Sequence, residues 1–97
     1  MLRHLVLVRF RPEAPADTAR RAVEALAALP ALIPELRACH PALDVGADPD
    51  NCPLALVADF DDGAALQRYL EHPAHARVVD EFLAPWLLDL AVSDVEM

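Results

Sequence analysis

LRHLVLVRF, residues 2–10, alternates along its whole length. His4, Val6, Val8 and Phe10 share one face, and Arg3, Leu5, Leu7 and Arg9 share the other. This is a strand whose centre is apolar on both sides. Antiparallel sheets commonly leave one face wet, so such a strand needs two covers: helices on one side and something else on the other.

Outward from that strand, Arg11–Pro12 ends it. Pro15 suits a first helical turn, Asp17 adds favourable charge near the N-terminus, and an alanine-rich helix runs to about Leu29. Its apolar stripe is Ala19, Ala22, Val23, Leu26 and Leu29. Pro30 and Pro34 bracket an irregular turn. A second strand is expected over 36–45, at a sheet edge because Pro41 cannot donate to a ladder. GADPDNCP, 46–53, reads as a loop, and LALVADF, 54–60, as a third strand. Asp61 or Asp62 caps a second helix that ends near Tyr69–Glu71. His72–Pro73 interrupts it, since a residue before proline avoids the helical region. A third helix is expected from Ala74 to Trp86, then a strand over 88–95 with Leu88, Leu90 and Val92 opposed to Asp89, Ala91 and Ser93. The order predicts one α+β domain over 1–97, a ferredoxin-like βαββαβ unit with one antiparallel sheet. Its first and third strands are central.

Composition narrows the chemistry. Ninety-seven residues are 56% apolar and 25% charged, a globular balance for one small domain. The net charge of −8 argues against nucleic acid and acidic membrane surfaces as partners. No apolar run approaches the ~20 residues of a membrane span, and Met1 leads straight into a strand, so a cytoplasmic location is expected. All eight basic residues are arginine; without lysine, Schiff-base chemistry is excluded. Ser93 and Thr18 are the only serine and threonine, and Gly46 and Gly63 are isolated. Neither a serine-hydrolase elbow nor a phosphate-binding loop exists.

His4, Tyr69 and His75 form the candidate catalytic cluster. His4 sits on the face expected to meet the helices. His75 shares a stripe with Val78, Val79, Phe82 and Trp86, so it too points inward, in a first helical turn that favours neutral imidazole. A neutral, partly buried histidine accepts a proton near neutral pH. Val6, Val8, Val23, Val79 and Phe82 are the expected apolar lining of a small-molecule pocket between sheet and helices. At ~1.5 Å per residue, Tyr69 lies two or three turns beyond the start of its helix. Only an oblique helix and the break at Pro73 bring His75 back toward His4. His72 reads more simply as a helix C-terminal residue satisfying end carbonyls. The histidines and cysteines show no metal-ligand spacing, so no metal and no cofactor is expected. Cys39 and Cys52 are expected as free thiols. Asp44, Asp48 and Asp50 read as a solvated loop.

Three stretches carry a family likeness: RHLVLVRFRPEA at the start, LALVADFDDGAALQRYLEHPAHARVVDEF in the middle, and the closing strand. HPAH after a helix ending in tyrosine is the most specific of them. The chain resembles the stress-responsive A/B barrel (Dabb) family over nearly its whole length. The departure lies at Cys39, His40 and Pro41 in the second strand. The resemblance implies a monomer that pairs sheet-to-sheet with a second copy into an α/β barrel, which would cover the Leu5/Leu7 face. It also implies a match of His4, Tyr69 and His75 to residues implicated in plant polyketide cyclases of the family, which carry out a cofactor-free aldol-type closure. The expected function is therefore binding of a small hydrophobic, oxygenated molecule, with acid–base chemistry as its active form. The alternatives are a non-catalytic stress-response structural or interaction protein and a cofactor-free monooxygenase of the antibiotic-biosynthesis type.

Overall fold

The computed structural model describes residues 1–97 as one four-stranded antiparallel sheet with all helices on one face. Strand β1 (Leu2–Phe10) lies between β3 (Leu54–Phe60) and β4 (Leu87–Glu96), and β2 (Ala38–Leu43) is the edge beyond β3. This is the ferredoxin-like arrangement, with β1 and β3 central. Pro41 sits on the edge strand, where a missing N–H costs least. Strand β2 is shorter than the expected 36–45, because Leu36 turns into the core while Val45 is 92% exposed.

The helical layer consists of α1 (Thr18–Ala27), α2 (Gly63–Glu71) and α3 (Pro73–Val78). Helix α1 starts later than Pro15, whose carbonyl accepts instead from the Thr18 hydroxyl at 2.7 Å. Asp62 rather than Asp61 caps α2, accepting from the Ala65 N–H at 2.9 Å. Asp61 is engaged by Arg37. The expected single helix to Trp86 is three pieces. After α3 comes a wide π turn, Val79–Leu83, in which the Ala84 N–H bonds the Val79 carbonyl. A tight turn at Ala84–Trp86 then leads into β4. Pro85, inside that last turn, is incompatible with a continuous α-helix.

The core lies between sheet and helices. Val8 from β1 meets Leu54, Leu56, Ala58 and Phe60 from β3, under Ala22 and Leu26 of α1 and Leu66 and Tyr69 of α2. The register pairs His4 with Ala58 and Asp94, Val6 with Leu56 and Val92, and Val8 with Leu54 and Leu90. Partners across a ladder share a face, so Leu90, Val92 and Asp94 look inward. Leu88 leaves that expected row: the register shifts beside Arg9 and Phe10, and Leu87 pairs with Phe10 instead. On the opposite face, Leu5 pairs with Val57 and Leu7 with Ala55 and Ala91. Leu7 is 47% exposed there, and no helix covers it.

Candidate functional site

A cavity of about 340 Å³ opens between the inner sheet face and helices α2 and α3. His4, Tyr69 and His75 all line it, as do the expected Val6, Val8 and Val79. The separation anticipated between Tyr69, His75 and His4 is closed by the break after α2. In an unbroken helix, residues six apart point about 120° away from each other around the axis at ~100° per residue. Instead His72 is extended (φ −68, ψ 135), and the chain turns sharply into α3. Tyr69 and His75 rings then lie 4.5 Å apart, and Tyr69 and His4 rings 6.0 Å apart. Phe60 backs the tyrosine at 5.0 Å.

His72 is the C-cap of α2, as expected, and its backbone N–H donates to the Tyr69 carbonyl at 3.1 Å, while its side chain serves the next helix. Its Nδ1 accepts from the Ala74 N–H at 3.0 Å and so caps the start of α3, with Pro73 in the first helical position.

Two of the expected lining residues lie elsewhere. Val23 is packed against the core on α1 and does not reach the cavity. Phe82 sits on the helical side of the π turn, its ring beneath the Arg21 guanidinium at 5.5 Å. An ordinary helix would set Phe82 and Leu83 almost equally beside Val79; bonds closing five residues apart widen the turn and put Leu83 on the cavity wall.

The electrostatics separate the polar groups. Tyr69 is 1% exposed, and burial pushes its phenol well above the ordinary value, with nearby Cys39 adding to the rise. Its hydroxyl stays protonated, makes no hydrogen bond within the chain and is open to the cavity that Tyr69 lines. Burial holds His75 below its ordinary pKa of 6.5, and neighbouring His4 lowers it further, against a smaller opposing contribution from the Leu70 backbone. His75 is thus neutral at pH 7. His4 is buried, but its surroundings are not wholly apolar as expected: Asp94 Oδ1 lies 2.5 Å from its Nδ1. With the carboxylate accepting, Nδ1 carries a hydrogen and the ring is held in one orientation. Asp94 is itself 38% exposed, so it joins the buried ring to solvent.

Asp94 is the candidate-site residue that sequence reasoning missed. The signal was present in the closing strand, where Asp94 continues the inward alternation of Leu90 and Val92. An acid on an apolar strand face calls for a buried partner, and His4 is directly across the ladder.

No three His, Cys, Asp or Glu side chains converge to hold a metal ion. Cys39 and Cys52 are unpaired; Cys39 packs under α1, with burial raising its thiol. No helix is long and apolar enough to cross a membrane.

The fold and site together define a ferredoxin-like α+β domain with two histidines and a tyrosine facing an apolar cavity. The chain belongs to the Stress responsive A/B Barrel Domain (Dabb) family, whose model matches residues 2–97. An uncharacterized protein of Streptomyces coelicolor is 40% identical over 77 residues, 77% of this chain and 79% of that protein. A dimeric ferredoxin-like protein of unknown function from Thermobifida fusca is similar at 31% identity and a TM-score of 0.88, over 99% of this chain and 90% of that one. The hydroxynitrile lyase of Passiflora edulis shares the fold at a TM-score of 0.80 and 18% identity, over 97% and 90% of the two chains.

Proposed function

We propose that this chain binds a small hydrophobic, oxygenated molecule in its cavity and performs cofactor-free proton transfer on it, acting as a homodimer. The observation that carries the reading is Tyr69, a buried residue whose ring stands between two imidazoles on one cavity wall and whose hydroxyl makes no hydrogen bond within the chain. A hydroxyl that opens on an apolar cavity and is free of protein partners is available to an oxygen atom of a ligand.

The chemistry follows from the protonation states. Neutral His75 takes a proton from carbon beside a carbonyl, and the electron pair of the broken C–H bond moves toward the carbonyl oxygen. The Tyr69 hydroxyl, held protonated by burial, donates to the developing enolate oxygen. The enolate carbon then attacks a second carbonyl, and that oxygen receives the proton back from His75. No electrons are gained or lost overall. His4, oriented by Asp94, supplies the second imidazole facing the substrate, and its carboxylate partner links it to solvent for proton exchange.

Leu5, Leu7, Ala55 and Val57 form the apolar patch through which a second copy docks. The Thermobifida fusca protein, similar over nearly its entire length, is described as dimeric.

The test is α-proton exchange on an aliphatic 1,3-diketone in D₂O, followed by NMR. Wild type accelerates exchange, His75→Ala abolishes the acceleration, and Tyr69→Phe weakens it. If both variants exchange as fast as wild type, the catalytic assignment fails. If all three only bind the diketone without acceleration, the protein is a binding module. Oxygen uptake accompanying turnover would instead favour the monooxygenase alternative.

A further inference from the structure

We infer that the β2–β3 loop, residues 44–53, is an arm that docks on a second copy of this chain, with Val45 as its anchor. The inference rests on the homodimer reading above and goes beyond the sheet-face patch described there.

The sheet face alone is a small platform. Strands of 9, 6, 7 and 10 residues turn half of their side chains outward. That is fewer than the roughly 20–30 residues a side that a stable interface takes. Apolar surface continues past the sheet at one corner. Beside Leu7, a groove of about 370 Å³ runs between the sheet, at Ala42 and Ala55, and the loop, at Val45, Asn51 and Cys52. Leu7 and Ala55 belong to the apolar patch already assigned to the second copy, so the groove is continuous with that patch. Val45 on its rim is 92% exposed, more than any other large apolar side chain of the protein, and Leu43 on the same rim is half-exposed. Single exposed apolar residues are ordinary, but Leu7, Leu43 and Val45 around one groove mark a contact surface.

The loop is braced to hold that valine in place. The Asp44 side chain accepts from the Gly46 N–H at 2.8 Å and from Asn51 Nδ2 at 3.4 Å. The Asp44 N–H donates to the Pro53 carbonyl at 2.9 Å, and the Asn51 N–H to the Asp48 carbonyl at 3.1 Å. Arg9 reaches from β1 to the Asp50 carbonyl at 2.6 Å. Gly46 takes the left-handed φ of 77° that turns the chain directly after Val45. Val45 is thus fixed by its surroundings while its side chain stands in water. An anchor fixed before docking loses little freedom on association. In a two-fold assembly it acts twice, once from each copy.

The experiment is sedimentation equilibrium of the full chain over a dilution series. Val45→Asp is expected to raise the dimer dissociation constant at least tenfold, and Val45→Thr, which keeps the shape and adds no charge, several-fold. Leu32→Asp places the same charge at an exposed position of the helical layer and is expected to leave the constant unchanged. Mixed dimers of ¹³C-labelled and unlabelled chains are expected to show NOEs from the Val45 methyl groups to the unlabelled copy. A Val45→Asp dimer as tight as wild type, a Leu32→Asp dimer weakened as much, or missing NOEs between copies overturns the arm and leaves the sheet-to-sheet dimer standing. A wild-type monomer at micromolar concentration overturns the homodimer itself, and this inference with it.

Discussion

Leu7→Arg tests the assembly through its most exposed sheet residue. Leu7 is 47% exposed in the single chain, and its cross-strand neighbours Ala55 and Ala91 offer no carboxylate to an incoming guanidinium. Complete burial of a leucine contributes about 1.5–3 kcal/mol, so covering the remaining half contributes about 1 kcal/mol. A two-fold interface contains the residue twice, which makes about 2 kcal/mol per dimer. Leu7→Ala, removing most of that, raises the dissociation constant roughly tenfold to thirtyfold. Leu7→Arg adds two guanidinium groups that lose water without gaining a partner, at several kcal/mol each, for a total increase above ~1,000-fold. The fold should survive, because Leu7 faces away from the helix-covered core. Sedimentation equilibrium over a dilution series measures the constants, and circular dichroism confirms that both variants remain folded. A wild-type monomer at micromolar concentration, or a Leu7→Arg dimer as tight as wild type, refutes the reasoning.

Acid is expected to weaken the fold through His75. Its folded pKa lies below the unfolded value near 6.5, so it costs no stability above that pH. Below it the unfolded chain binds the proton more readily, and stability falls. His75→Phe should therefore lose less stability between pH 7 and pH 5 than wild type in urea unfolding; an equal loss contradicts the assignment. Asp94→Asn should change the His4 imidazole ¹⁵N shifts by removing the carboxylate that Nδ1 faces, and unchanged shifts would mean that the contact does not orient the ring. Val79→Ala should weaken binding of the aliphatic 1,3-diketone about fivefold by removing roughly 1 kcal/mol of apolar contact, whereas Phe82→Ala should leave it unchanged. Thiol titration should find both cysteines free, with Cys39 reacting more slowly because burial raises its pKa.

Alternation and proline position made the sheet legible. Strand β1 and strand β3 occupy the residues their patterns indicate, and Pro41 alone places β2 at an edge. Side chains set by a two-residue period also came out correctly, so His4, Val6 and Val8 share the cavity wall. The third helical segment was less legible, because its apolar stripe assumes a constant 3.6-residue turn. The π turn breaks that assumption, and Phe82 and Leu83 exchange places. Val23 fails for a related reason: a stripe says which side of a helix is buried, not what lies beneath each residue. Asp94 required a cross-strand register rather than a local pattern. Its meaning depends on a residue 90 positions away.

The short HPAH stretch is where local mechanics and chemistry meet. Pro73 forbids helical backbone at His72, which turns the chain, and its ring then starts α3 at a position needing no N–H. His72 satisfies the Ala74 N–H that the new helix leaves open. Ala74, small and partly buried, lets this corner pack against the core. Only then does His75 reach the cavity with its ring against Tyr69. The first three residues thus fix the position of the fourth. The same turn that ends α2 carries Tyr69 on one side and delivers His75 on the other, so the two side chains assigned to proton transfer are held by one corner. A substitution that restores a continuous helix there would separate them around the axis without touching either residue. The specificity of the motif is therefore geometric before it is chemical.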